Sequence, residues 1–94
     1  MLSEQEIQSR IEALSGWERA EVGGKPGIAK TFQRTNFMDG LGFVGRMAEL
    51  AEKANHHPDV LLTYPRVTVS LTTHDAGGLT EKDFGLAQQI DEVV

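Results

Sequence analysis

Asn55-His56-His57-Pro58, followed by Thr73-His74 and then by Asp83 just after Gly78-Leu79-Thr80, is where this chain concentrates its chemistry. All 3 histidines of the 94 residues lie between positions 56 and 74. Histidine is the one side chain whose unperturbed pKa, about 6.5, lets it give or accept a proton near neutrality. Collecting every copy in one segment points to a proton-transfer or ligand site. An exposed helix terminus is the plain alternative for His56 and His57, a local turn for His74, and a simple capping group for Asp83. Adjacency, the flanking proline and the third histidine count against it.

Two chemistries compete for these residues. Three histidines and an aspartate could bind zinc. Helical ligand pairs want i, i+4 spacing, however, and neighbours in an extended chain point to opposite sides. The chain has no cysteine, no His-x-His and no His-x-x-x-His. Acid/base chemistry without a metal is therefore the expectation.

The elements that must position these groups follow from pattern. Pro58 disfavours helical geometry at His57, so a helix must end at or just before the histidine pair. That helix opens at Asn36 as N-cap, with Phe37, Leu41, Val44, Ala48 and Ala51 as its apolar stripe. Gly40, Gly42 and Gly45 interrupt it at about 1 kcal/mol each relative to alanine, which suggests close approach of a neighbouring element. The negative end of the helix dipole favours a protonated imidazole at His56 and His57. Val60 to Tyr64 reads as a short strand and Pro65 as a turn. Arg66 to Thr73 alternates cleanly, with Val67, Val69 and Leu71 on one face. If that parity persists, His74 points away from this apolar face. Thr80 caps a last helix with Phe84, Ala87, Ile90 and Val94 buried. Asp83 is its third residue, where the positive end of the dipole stabilises a carboxylate.

Earlier in the chain, Ser3 with Glu6 forms a capping box for a first helix marked by Ile7, Ile11 and Leu14 and stopping at Ser15-Gly16. Trp17 to Val22 and Ile28 to Arg34 are candidate strands around a turn-rich Gly23 to Gly27. The order is helix, two strands, helix, two strands, helix. Hairpins imply an antiparallel sheet whose one face the helices must cover, an α+β fold. Such a sheet has two edges to protect, and Val60–Tyr64 has little charge to do so, which points to a homo-oligomer built by edge pairing.

Composition limits the rest. One domain over residues 1–94 is all this length supports. A net charge of −5 argues against a nucleic-acid phosphate binder. No apolar run approaches the roughly 20 residues needed to span a bilayer, so no membrane partner is expected. Absent cysteines fit a reducing compartment, and the polar start Met1-Leu2-Ser3-Glu4 is unlike a signal peptide; a cytoplasmic protein is expected.

The motif Glu52-Lys53-x-x-His56-His57-Pro58, then Tyr64-x-x-Val67, then Thr73-His74-x-x-x-Gly78-Leu79-Thr80-x-x-Asp83 resembles the signature of the pterin-4a-carbinolamine dehydratases. It covers residues 36 to 94, and Trp17, Gly42-Phe43 and Ala87 extend it to the whole chain. The resemblance implies four antiparallel strands covered by three helices on one face. It implies dehydration of 4a-hydroxytetrahydropterin, the by-product of aromatic amino acid hydroxylases, to quinonoid dihydropterin and water. No redox step is involved, so no cofactor is expected. His56, His57 and His74 match the family's active-site histidines, and Glu52 and Asp83 its supporting acidic positions. On that basis His57 is the expected principal acid/base group, His74 handles the other proton, and His56 binds or orients the pterin. Asn55 stands where some members have aspartate, and Lys82 where some have arginine. Members form dimers or tetramers. Some also stabilise oligomers of other proteins, so an assembly role on the same scaffold is the alternative function.

Overall fold

The computed structural model describes residues 2–94. Its elements are α1 (Glu4–Ala13), β1 (Glu18–Val22), β2 (Lys25–Gln33), α2 (Phe37–Ala54), β3 (Asp59–Leu62), β4 (Arg66–Leu71) and α3 (Glu81–Glu92), with a 3-10 turn at His74–Ala76. Each helix begins for a local reason. Ser3 and Glu6 form a capping box at α1, the Asn36 side chain accepts from the Asp39 N–H at α2, and Thr80 with Asp83 forms a second capping box at α3. These side chains satisfy N–H groups that a first helical turn leaves without partners. α1 ends at Ala13, slightly before the expected Ser15-Gly16 stop. None of the described helices is long and apolar enough to cross a membrane.

The strands form one antiparallel sheet in the order β1-β2-β4-β3. β2 and β4 are central, and their register places Ile28 opposite Leu71, Lys30 opposite Val69 and Phe32 opposite Val67. Those apolar residues are buried against Phe43 and Met47 of α2 and Phe84, Leu86, Ala87 and Ile90 of α3. Ile7, Ile11 and Leu14 of α1 pack on the same core while staying half-buried. The neighbouring pair Thr31 and Thr68 joins hydroxyls at 3.1 Å at the exposed sheet surface. The fold is α+β, as the hairpin pattern requires.

Several details differ from expectation. The β1–β2 turn is only Gly23-Gly24, with φ of +57° and +80°, so Lys25 to Gly27 belong to β2 and β1 begins at Glu18. Two successive residues at positive φ match the twist of flanking strands, which makes a longer linker unnecessary. β3 runs from Asp59 to Leu62 and β4 stops at Leu71, each shorter than the pattern suggests. Val94 lies beyond α3 and is 54% exposed.

The largest correction concerns α2. Its buried face is Gly40, Phe43, Met47 and Ala51, whereas Phe37 and Leu41 are each 48% exposed and Ala48 also faces outward. Phe43 and Met47 bring large apolar side chains to that face, and Gly40 lets it lie close to β3: a Cβ there would stand 2.8 Å from Leu62 Cδ1, whose side chain would have to give way. The close-approach reading therefore holds for Gly40. Gly45 has open space around it, and a Cβ on Gly42 would touch only the end of Arg46.

Candidate active site

The end of α2 aims the histidine pair. Asn55 takes φ 49°, the one non-glycine residue at positive φ among the described residues. Its N–H donates to the Glu52 carbonyl at 3.3 Å, and the His56 N–H donates back to the Ala51 carbonyl at 3.1 Å. This is the pairing of a Schellman motif, which satisfies carbonyls at a helix end while reversing the chain. Asparagine tolerates the left-handed region better than most residues, so its place here has a backbone cause. After the reversal, His56 and His57 diverge.

His56 turns inward. Its Nε2 lies 2.6 Å from Asp83 Oδ1, with the two side chains 10% and 0% exposed. The other oxygen, Asp83 Oδ2, accepts from Thr73 Oγ1 at 2.8 Å and from the Thr80 N–H at 2.9 Å. A carboxylate only accepts, so His56 Nε2 carries the proton that it donates. The Thr73 hydroxyl, committed to Asp83, then accepts from the Thr80 hydroxyl 2.8 Å away. The chain Thr80–Thr73–Asp83–His56 gives both oxygens of the buried carboxylate hydrogen-bond donors, one at Oδ1 and two at Oδ2. Burial of Asp83 is tolerable because every contact it makes is a donor.

His57 turns outward, back onto the last turn of α2. Its Nε2 lies 2.5 Å from Glu52 Oε2, and the side chains are 57% and 75% exposed. Both residues line a groove of about 280 Å³ whose other walls include Val44, Ala48, Pro58 and Val60. His57 can therefore meet solvent or a bound molecule while a carboxylate holds its ring.

His74 is placed differently from the expectation. The alternation of β4 ends at Leu71, Thr72 turns in to donate to the Pro26 carbonyl at 2.7 Å, and His74 opens the 3-10 turn. Strand parity thus stops short of it. It follows Thr73, whose hydroxyl is bound to Asp83, but its own ring lies exposed against the Gly23 position of the β1–β2 turn. A larger cavity, about 690 Å³, opens on this side and is lined in part by Thr73, Asp75, Ala76, Thr80 and Lys82. Asp75 is exposed, as expected. None of the three histidines lines that cavity, and His57 alone lines the smaller groove. Among the described residues, no three His, Asp or Glu side chains gather as ligands of one metal ion.

Thr73 and Thr80 are the members of this network that the residue types alone do not assign to it. The Thr80-x-x-Asp83 capping box was the available signal, because the same geometry that caps α3 fixes the carboxylate that receives His56.

The profile of the family described as Pterin 4 alpha carbinolamine dehydratase matches residues 1–93. This chain belongs to that family. A relative from Roseiflexus sp. (strain RS-1), provisionally named pterin-4-alpha-carbinolamine dehydratase, is 53% identical over 93 residues, spanning 99% of this chain and 96% of its own. One from Roseiflexus castenholzii with the same provisional name is 50% identical over 94 residues, spanning 100% and 97%. Among solved structures, a Brucella melitensis protein described as a transcriptional coactivator/pterin dehydratase superimposes with a TM-score of 0.88. It has 36% identity, and the match covers 98% of this chain and 96% of that one. A pterin dehydratase-like RuBisCO assembly factor of the alpha-carboxysome shares the fold, with a TM-score of 0.68 at 20% identity over 83% of this chain and 88% of its own. The α-β-β-α-β-β-α order is thus the fold of the pterin-4a-carbinolamine dehydratase family. His56, Glu52, His57 and Asp83 are the residues of this member that its fold draws into imidazole–carboxylate pairs.

Proposed function

We propose that this protein dehydrates 4a-hydroxytetrahydropterin. A proton delivered to the C4a hydroxyl lets the C–O bond break and water leave. The N5 electron pair forms the C4a–N5 double bond, and the N5 proton passes to a base. The products are quinonoid dihydropterin and water, and no electrons are exchanged with a second molecule. Two proton transfers near neutrality are work that imidazoles can do. The reading rests on one observation above all: in a chain of this family, adjacent imidazoles each have their own carboxylate, one buried and one open to solvent.

That contrast supports a division of roles. His56 has Nε2 committed to buried Asp83, which suits a ring that binds or orients the pterin. His57 is exposed with its Nε2 held by Glu52 at the mouth of a groove, which suits the principal acid/base group. His74, exposed beside Thr73, is available for the other proton. Such an enzyme would work in the cytoplasm beside an aromatic amino acid hydroxylase, returning its pterin for reduction. The test is decay of the carbinolamine, generated in situ, with purified protein in the presence and absence of a chelator. Accelerated decay in both is expected; decay at the spontaneous rate in both would refute the proposal.

The working form is proposed to be a homodimer joined at β3. The sheet edges are β1 and β3. β1 carries Glu18, Arg19 and Glu21, charges that discourage pairing, whereas β3 exposes Val60 and Leu61, at 37% and 60%. The outward stripe of α2, Phe37 and Leu41 with half-buried Val44, provides further apolar surface to cover.

A further inference from the structure

His56 has Asp83 and His57 has Glu52, but the His74 side chain makes no hydrogen bond among the described residues. What its ring meets is the β1–β2 turn. A Cβ built on Gly23 would stand 3.0 Å from His74 Cε1, 3.9 Å from Nε2 and 4.0 Å from Nδ1. Carbon atoms prefer roughly 3.5–4.0 Å, so a Cβ there would require the imidazole to give way by a few tenths of an ångström. We propose that Gly23 is a positioning residue for His74, and that the β1–β2 turn is thereby part of the active site. The proposal rests on the reading of His74 as an acid/base group, and it adds what holds that group in place.

The turn and the histidine loop form one unit. Thr72 Oγ1 donates to the Pro26 carbonyl at 2.7 Å, which ties the end of β4 to the start of β2. A Cβ on Gly27 would stand 2.5 Å from the Leu71 carbonyl oxygen, so the two strands pass each other too closely for any side chain there. Gly78 lies against the Pro26 ring, its Cβ position 3.8 Å from Cγ. The loop that carries His74 is closed by two hydrogen bonds, from Thr73 N–H to the Gly78 carbonyl at 3.0 Å and from Gly78 N–H to the Thr73 carbonyl at 3.3 Å. The two backbones are thus fixed relative to each other, and the space left by Gly23 is where this rotamer of His74 fits. A Cβ there would disfavour that rotamer of an exposed imidazole without a hydrogen-bond partner, and small misplacements of a proton-transfer group lower rates steeply.

Gly24 supplies the control. It shares the positive φ of Gly23, +80° against +57°, yet a Cβ there meets nothing within 4 Å. Alanine at either position strains the turn, but only at 23 does it press on His74. Asparagine is at home in the left-handed region and favoured at the first position of such turns, so Gly23→Asn adds the Cβ with less strain. The experiment compares Gly23→Ala, Gly23→Asn and Gly24→Ala by kcat, KM and the Hε1 proton resonance of His74, assigned by its loss in His74→Ala. Both Gly23 variants should lower kcat on the order of threefold to tenfold against Gly24→Ala, with KM little changed and the His74 resonance displaced. Equal kcat values and an undisturbed His74 resonance in all three would overturn the proposal. If His74→Ala itself turned over at the wild-type rate, the acid/base reading of His74 would fall. The resonance would then decide by itself whether Gly23 places the ring.

Discussion

Asp83 and Glu52 each hold an imidazole, yet their surroundings are opposite, and mutation should expose the difference. Removing a buried acceptor strands the donors that face it, at about 1–3 kcal/mol for each one left unsatisfied. Asp83→Ala, whose carboxylate is 0% exposed, should therefore lose stability of that order in chemical denaturation, and activity with it. Glu52→Ala removes a group 75% exposed and should stay within about 0.5 kcal/mol of wild type, while its turnover falls toward that of His57→Ala. A Glu52 variant as destabilised as the Asp83 one would show that the two pairs do not differ as described. His57→Ala and His74→Ala should each reduce turnover by about 10² or more, the usual effect of losing a general acid or base, and His56→Ala should act more on apparent affinity. A double variant, His57→Ala/His74→Ala, working at the wild-type rate would end the proposed roles.

The helix ends translate chain direction into side-chain direction. Asn55 at φ 49° reverses the chain between α2 and the histidines. An alanine there would bear about 1–2 kcal/mol of left-handed strain, whereas glycine would bear none. Asn55→Ala should therefore melt earlier than wild type, and Asn55→Gly should melt close to it. Equal melting of the two variants would argue against the turn as the cause. At the other end of α2, the Arg34 guanidinium donates two hydrogen bonds to Asp39 and the Thr35 N–H a third, which together hold the Asp39 carboxyl below its ordinary 3.8. A carboxyl lowered on folding stabilises the fold above its unfolded value and stops doing so as the pH falls through the folded one. Asp39→Asn should be less stable than wild type at pH 7, with the gap closing as the pH drops below about 3.8. Denaturation midpoints across that range would reveal a gap that fails to close.

At the scale of the whole molecule, the charged edge β1 and the apolar edge β3 give the sheet two unlike sides. Light scattering at micromolar concentration should report at least twice the 10.3 kDa chain mass. Lysine on an edge strand opposes pairing, so Val60→Lys with Leu61→Lys should return the mass to that of one chain. A wild-type monomer, or a dimer that survives both lysines, would exclude β3 as the junction. The fold also brings residues distant in sequence into contact. Asp83 reaches His56 from α3, and the β1–β2 turn meets His74 just beyond the end of β4.

The sequence by itself determined whatever is decided within one helical turn or one strand. Ser3 with Glu6, Asn36, and Thr80 with Asp83 start the three helices where their residue types require. Pro58 ends α2 before the histidines, and alternating Val67, Val69 and Leu71 make β4 a half-buried strand. The motif from Glu52 to Asp83 was enough to indicate the family. Only tertiary structure decided which side of α2 faces the core. Apolar residues lie on both sides of that helix, so periodicity permits the expected Phe37-Leu41-Val44-Ala48-Ala51 as readily as Gly40-Phe43-Met47-Ala51, and Ala51, common to both, is buried. The choice fell to the packing of Phe43 and Met47 into the core, with Gly40 passing close over Leu62. Alternation in an extended chain parts the adjacent histidines, but it does not say which of them enters the interior and which folds onto its own helix. That outcome depends on where α3 delivers a carboxylate, and no local rule carries that information.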